Sequence, residues 1–288
     1  MKPSQRQLYA ERIERVVQHV EDLTFEGRAP TLAELAGVAA MSEFHFHRIF
    51  RLMTGETVGE AVRRIRLART LPSLAAAGTI TQAAGASGYA TPQGFARALR
   101  RQAGTSASAA RGGAETLESL AAQLRSPPPG ATAPALSVEI VSVDPFRLLA
   151  IRNVGDYAEL NGSYTRLFDL VLAQIPMKDL RGIYGVPHDD PRFTPAEACR
   201  CDCALAVGSA GRPTGELAEL HLGGGSHARL RHLGCYDDMP ASIDRLYAAT
   251  LLQADCEIGS APAFVHYLDD PEEVAEAELR ADIYLPLA

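Results

Sequence analysis

The sequence predicts an all-α tandem helix-turn-helix domain followed by an α+β domain built from two pseudo-symmetric β-α-β-β repeats. Three observations carry this. The N-terminal part, up to about Gly112, reads as N-capped helices separated by short turns, with one short-helix, turn, capped-helix pattern occurring twice. A Pro-rich stretch follows. The second half contains an internal repeat, in which a set of Arg, Gly, Tyr and Asp positions recurs at a nearly constant offset.

In the helical half, Ser4 to Gln7 has capping-box form, and Leu8, Ile13, Val16, Val17, Val20 and Leu23 follow at helical spacing. Gly27 and Pro30 end that helix. Thr31-Leu32-Ala33-Glu34 opens a short helix, Gly37 to Met41 turns, and Ser42 caps the next helix, which Gly55 stops. Thr57-Val58-Gly59-Glu60 starts a longer connecting helix, which Pro72 is expected to shorten or kink. The pattern then recurs: Thr79 to Gln82 opens a short helix, Gly88-Tyr89 turns, and Thr91-Pro92 places an N-cap before Pro at the first helical position. Gly104 ends that helix.

Residues 113–136 are expected to be a linker. Glu115 to Arg125 has the pattern of a short helix, and Ser126-Pro127-Pro128-Pro129-Gly130 and Pro134 make an extended connection. The domains are therefore placed at 1–112 and 137–288. In the second half, Arg152-x-x-Gly155-x-Tyr157 and Arg166-Leu167-Phe168 recur as Arg231-x-x-Gly234-x-Tyr236 and Arg245-Leu246-Tyr247. Asp189-Asp190-Pro191 and Arg200-x-Asp202-x-x-Leu205 recur, one position further displaced, as Asp269-Asp270-Pro271 and Arg280-x-Asp282-x-x-Leu285. A cleft between two such halves is a natural ligand site.

Charge divides along the same boundary. Residues 1–112 hold 15 basic and 9 acidic side chains, a balance of +6, whereas the remainder carries −13. A basic half joined to an acidic one fits a nucleic-acid-binding unit tethered to one that avoids nucleic acid. The N-terminus lacks a signal-peptide apolar core, and no stretch approaches the ~18 apolar residues of a membrane span. A cytoplasmic location with no membrane partner is expected, and the five cysteines are expected to form no structural disulfide.

A capped second helix of this kind enters the major groove with its N-terminal residues near base edges. The two candidates begin at Ser42 and Thr91. Here the sequence resembles the AraC/XylS family of transcription regulators. The resemblance rests on Leu32 to Ala36, on the run Ser42 to Thr57, on Arg64 to Arg69, and on Gly88-Tyr89, Phe95 to Arg101 and Gly104-Thr105. It implies two recognition helices in successive major grooves, with Phe44, His47 and Arg48 of the first and Gln93, Gly94 and Arg97 of the second facing the bases. Arg suits guanine, and Gln suits adenine. Double-stranded DNA is the implied partner, and RNA polymerase is a candidate second one.

Residues ~137 to 288 resemble the GyrI-like effector-binding domain, through Arg152 to Tyr157, Gly182 to Tyr184, Gly223 to Gly225, Arg231 to Tyr236, Tyr267 to Pro271 and Leu279 to Leu287. The resemblance implies an aromatic-lined cleft for a small hydrophobic or aromatic ligand, with Phe168, Tyr184, Val265, Tyr267 and Tyr284 as pocket candidates. Where the family commonly has a glutamate two residues before the Tyr, this chain has Val265. A neutral or anionic ligand is expected in place of a cation. Cys199, Cys201 and Cys203 alternate and share one strand face, but no metal-ligand spacing supports them, so neither metal nor cofactor is expected. The function read here is a sequence-specific DNA-binding regulator controlled by a small ligand, and not an enzyme. The alternatives are a GyrI-like hydrolase of a reactive small molecule and a partner-protein-binding module.

Overall fold

The computed structural model describes residues 4–76, 79–86, 89, 91–106, 109, 114–125, 138–252 and 256–288. Gly88 of the expected turn and the Pro-rich stretch 126–137 lie outside them. The chain divides into two compact units, residues 7–131 and residues 132–288.

The first unit is helical: α1 (Gln5–Phe25), α2 (Leu32–Val38), α3 (Glu43–Thr54), α4 (Val58–Ala76), α5 (Ile80–Ala86), α6 (Pro92–Ala103) and α7 (Ala114–Arg125). The threonine caps read from sequence are made, whereas Ser42 stands at the N-cap of α3 in extended conformation and its hydroxyl makes no capping bond. Thr31 Oγ1 accepts from Glu34 N at 3.2 Å. At α4 the bonds are reciprocal, with Thr57 N donating to Glu60 Oε2 at 2.9 Å and Glu60 N to Thr57 Oγ1 at 3.2 Å. Gly55 and Gly104 close α3 and α6 at φ +73° and +66°, a conformation that strains any other residue. Two expectations change. Pro72 does not end α4, which continues to Ala76; the helix is held by packing on α7, which outweighs the single backbone bond that Pro lacks. Within 113–136, α7 is no tether: Leu117, Ala121 and Leu124, at spacings of four and three, join Leu67, Leu71, Phe95 and Leu99 in one core.

Arg64 of α4 (3% exposed) fixes this arrangement. Its Nη2 donates to Glu56 Oε1 at 2.6 Å and its Nε to Oε2 at 3.0 Å, while its Nη1 donates to the Leu124 carbonyl of α7. One guanidinium thus ties together the turn after α3, the connecting helix and the end of α7.

The second unit is β1 (Glu139–Val143), β2 (Phe146–Val154), α8 (Leu160–Leu172), β3 (Gly182–Pro187), β4 (Arg200–Ala206), β5 (Ala218–Leu222), β6 (Gly225–Leu233), α9 (Met239–Leu252), β7 (Phe264–Tyr267) and β8 (Arg280–Pro286). All eight strands form one antiparallel sheet in the order β1-β6-β8-β7-β3-β4-β2-β5. The β2-α8-β3-β4 repeat and the β6-α9-β7-β8 repeat meet where β3 pairs with β7. The sheet has to curl. Only Asp144 and Pro145 separate β1 from β2, a reach of about 11 Å, although six strand spacings, about 29 Å if flat, lie between them. Gly223 and Gly224 make the same short crossing from β5 to β6. A Cβ on Gly223 would collide with the Asp144 carbonyl oxygen, so the two crossings touch.

The repeated residues build the frame. Arg152 of β2 donates to both carboxylate oxygens of Asp202 across the ladder, and Arg231 of β6 does the same to Asp282. The Tyr157 hydroxyl donates to the carbonyls of Arg200 (2.6 Å) and Asp189 (3.2 Å), and the Tyr236 hydroxyl to those of Arg280 and Asp269 (2.9 Å each). The internal repeat is therefore a duplicated set of strand-end clamps.

Candidate nucleic-acid interface and ligand cleft

The second helix-turn-helix offers an open reading edge. Thr91 Oγ1 accepts from Gly94 N at 3.1 Å, which fixes the first turn of α6. Gln93 and Arg97 are exposed, as are Arg100 and Arg101 further along the helix. Gly94 has a structural reason: a Cβ there would stand 3.2 Å from the Thr91 hydroxyl, tighter than ordinary contact. In α3 the corresponding residues are less available. Phe44 and His47 are half-buried, and Arg48, in the position equivalent to Arg97, is only 6% exposed. His47 Nδ1 lies 3.5 Å from the Glu43 carbonyl one turn back. Phe46, Ile49, Phe50, Phe95 and Leu99 are core residues.

In the curled sheet, strand register decides which aromatic residues share a surface. Leu149, Ile151, Cys203, Leu205 and Ile183 face α8, while Leu148, Ala150, Ala204, Ala206, Tyr184, Phe264 and Tyr284 turn to the inside of the curl. The five pocket candidates therefore do not form one pocket. Phe168 of α8, Val265 and Tyr267 belong to the helix side; Tyr184 and Tyr284 lie on the inner face. The expectation of a single pocket holding all five is corrected by alternation in the strands.

On the helix side, Val265 pairs with Gly185, and the registers of the two repeats place that pair on the pseudo-twofold axis. Tyr164 and Tyr267 converge over it. A Cβ on Gly185 would stand 3.0 Å from each of their hydroxyl oxygens, so glycine is what lets both phenols reach the centre. The Tyr164 hydroxyl donates to the Tyr184 carbonyl at 2.8 Å, and the Tyr236 ring packs 5.0 Å from that of Tyr267. Burial drives the Tyr164 and Tyr267 phenols far above their usual range, so both stay protonated donors. Sequence reasoning does not single out Tyr164, Tyr236 or Gly185 as pocket residues. Tyr236 is legible only as part of the Arg-x-x-Gly-x-Tyr repeat.

Val265 is 1% exposed and brings no charge to this floor. Cys201 and Cys203 of β4 lie on the same face, both buried, and the hydrogen bond between them together with burial holds the Cys201 thiol well above its usual range. Among the described residues, no group of three or more His, Cys, Asp or Glu side chains could hold a metal ion. His266 sits on the inner face, stacked 4.4 Å from Tyr184, where burial lowers its pKa. No helix among the described residues is long and apolar enough to cross a membrane.

Known proteins share both units. Residues 136–288 match the GyrI-like small molecule binding domain, and residues 35–113 match a helix-turn-helix domain. Over 109 residues the chain is 33% identical to the probable transcriptional regulator YgiV of Escherichia coli K12, a match covering 36% of this chain and 66% of that relative, a little under two thirds of its length. Similar solved structures include EcmrR in its complex with DNA (TM-score 0.43, 15% identity, 52% of this chain and 56% of that one). A hydrolase from Listeria innocua also matches (TM-score 0.39, 12% identity, 54% and 94%). The match to residues 136–288 takes in more than half of the sequence: the chain belongs to the GyrI-like small-molecule-binding family, and it carries an AraC-type helix-turn-helix domain ahead of that fold.

Proposed function

We propose that this protein is a DNA-binding transcription regulator whose activity is set by a small ligand held in the C-terminal unit. The observation that carries the reading is the pairing of two units on one chain: a capped, Arg-bearing recognition helix α6 in a basic tandem helix-turn-helix, and a pseudo-symmetric cleft of the GyrI-like family. Gln93, Gly94 and Arg97 contact bases or the adjacent backbone, and Phe44, His47 and Arg48 belong to the reading surface of the first unit. RNA polymerase is the candidate protein partner. Residues 137–288 form the sensing domain, and the reading domain includes α7 with residues 1–112.

The ligand of the helix-side cleft is small, uncharged and aromatic. Val265 supplies no counter-charge, while Tyr164, Tyr236 and Tyr267 supply ring faces and protonated hydroxyls. We read the cleft as a binding site and not a catalytic one. Its floor has Val265 in place of a carboxylate, and the neighbouring His266 turns to the opposite face, so neither position offers the tyrosines a base. A ligand shifts DNA binding only through different affinity for two states of the protein.

Fluorescence anisotropy tests the proposal. The full chain is titrated onto DNA from its own upstream region and onto scrambled DNA over a salt series. Tighter binding to the upstream DNA, weakened by Arg97→Ala, supports the reading. Equal and steeply salt-dependent binding to both would reduce it to nonspecific charge contact.

A further inference from the structure

The inner face of the curl holds a feature that the helix-side cleft does not explain. A cavity of about 430 Å³ opens there, lined by Pro145, Phe146, Arg147, Arg181, Tyr184 and Ala206, with Gly208 at its edge. Its volume lies within the range of small-molecule sites, roughly 300–1,000 Å³. The Phe146 and Tyr184 rings stand 5.0 Å apart and form an aromatic wall that continues through Phe264 to Tyr284.

Two arginines line the cavity, and they differ. Arg147 is consumed internally: it donates to Glu219 at 2.8 Å and to the carbonyls of Ala210 and Gly211 at 2.8 and 3.1 Å. Arg181 is exposed, and its guanidinium makes no ion pair or hydrogen bond among the described residues; only its backbone N–H is engaged, with the Ala206 carbonyl. The Tyr184 phenol is pushed up to about 12 by burial, so it remains a donor at neutral pH. An aromatic wall beside a free guanidinium and a phenolic donor suits a flat aromatic ring bearing an anionic oxygen group.

The second repeat lacks this combination. The registers and the offset of the repeat put Gly225 opposite Phe146, Ala261 opposite Arg181, Phe264 opposite Tyr184, and Pro286 opposite Ala206. A feature of the frame would recur in both halves, as the Arg–Asp clamps do. This one is confined to the first repeat.

We infer that the inner face of the first repeat is a second small-molecule site, separate from the helix-side cleft, that takes an aryl carboxylate with its ring on Phe146 and Tyr184 and its carboxylate on Arg181. The inference does not depend on DNA binding or on the occupant of the cleft.

The probe is 2-naphthoate, titrated by its own fluorescence into the full chain, which has no tryptophan to interfere. Its amide, 2-naphthamide, serves as the uncharged control. Saturable naphthoate binding is expected, weakened about 5- to 10-fold by Arg181→Gln, as befits a partly solvated charge-assisted contact. Tyr184→Phe weakens it further, Arg181→Gln leaves naphthamide affinity unchanged, and Tyr267→Phe leaves naphthoate affinity unchanged. Absence of saturable binding would overturn the inference, as would naphthoate affinity indifferent to Arg181→Gln. A loss with Tyr267→Phe equal to that with Arg181→Gln would place the ligand in the helix-side cleft and overturn it too. None of these results alters the outcome of the DNA anisotropy experiment.

Discussion

Replacing Arg64 with methionine tests how the reading unit is held together. Arg64 and Glu56 are 3% and 7% exposed, and the guanidinium makes three bonds to the carboxylate besides its bond to the Leu124 carbonyl. Methionine fills much of the same volume, so the cavity cost is small. The dominant effect is a buried carboxylate left with no counter-charge, worth about 3–5 kcal/mol when one partner of a buried pair is removed. Against a domain stability of roughly 5–15 kcal/mol that is a large fraction. With a urea slope of about 2 kcal/mol per molar, the midpoint of the helical transition falls by about 2 M. Urea titration followed by far-ultraviolet circular dichroism reads it. The double variant Arg64→Met with Glu56→Gln, which removes the stranded charge, should lose at least ~2 kcal/mol less than the sum of the two single losses. A single-variant loss below about 1 kcal/mol, or strict additivity, would refute the view that this pair locks α4 to α7 and to the end of α3.

The same geometry fixes the outcome of three other perturbations. Thr91→Ala removes the α6 cap and costs about 1 kcal/mol in the helical transition, whereas Thr91→Ser costs little; equal losses would deny the hydroxyl its capping role. Arg97→Ala lowers affinity for specific DNA and reduces the slope of log affinity against log salt by about 1 if the contact is to phosphate; an unchanged slope with lost sequence preference would assign it to a base edge instead. For acid stability, burial alone would raise the Asp202 pKa, but hydrogen bonds from His188 and Arg152 outweigh it and hold the carboxyl below its ordinary range, as Arg200 does for Asp189. A depressed folded-state pKa gives stability that is complete above the unfolded value, about 4, and is lost as pH falls through the folded value. The carboxylate contribution to the urea midpoint of the C-terminal unit should therefore hold down to about pH 5 and be lost by about pH 3, with a smaller loss over that interval in Asp202→Asn, while His266, whose pKa burial lowers, adds a separate loss as pH falls below about 6.5; an equal loss between about pH 5 and about pH 3 in both proteins would remove Asp202 from the account.

The parts of this molecule that are legible in the sequence are those written in local chemistry. Thr91 before Pro92, Thr57 before Glu60, and Gly55 and Gly104 set helix ends through bonds within one turn. The Arg, Gly, Tyr and Asp of the repeat are legible because each clamp is made twice. Residues 114–125 are visible as a helix, but their apolar spacing names no partner, and the neighbouring prolines draw the boundary in front of them. Leu117, Ala121 and Leu124 belong to a core whose other half lies much earlier in the chain, at Leu67 and Leu71 on α4. The pocket fails for a related reason. Tyr184 and Tyr267 look alike along the chain, and only the pairing of Tyr184 with His266 and of Gly185 with Val265 puts them on opposite faces of the sheet. Arg48 and Arg97 occupy equivalent helix positions, yet one is buried and the other exposed, a difference that no local pattern encodes.

The most direct measurement is a hydroxyl-radical footprint of the full chain on its own upstream DNA, alongside Arg97→Ala. Two protected patches on one face of the duplex, centred about one helical turn or ~34 Å apart, are the predicted result, with the patch under α6 weakened in the variant. Uniform protection, or a single patch indifferent to Arg97, would contradict the claim that this protein reads DNA through its paired helix-turn-helix units.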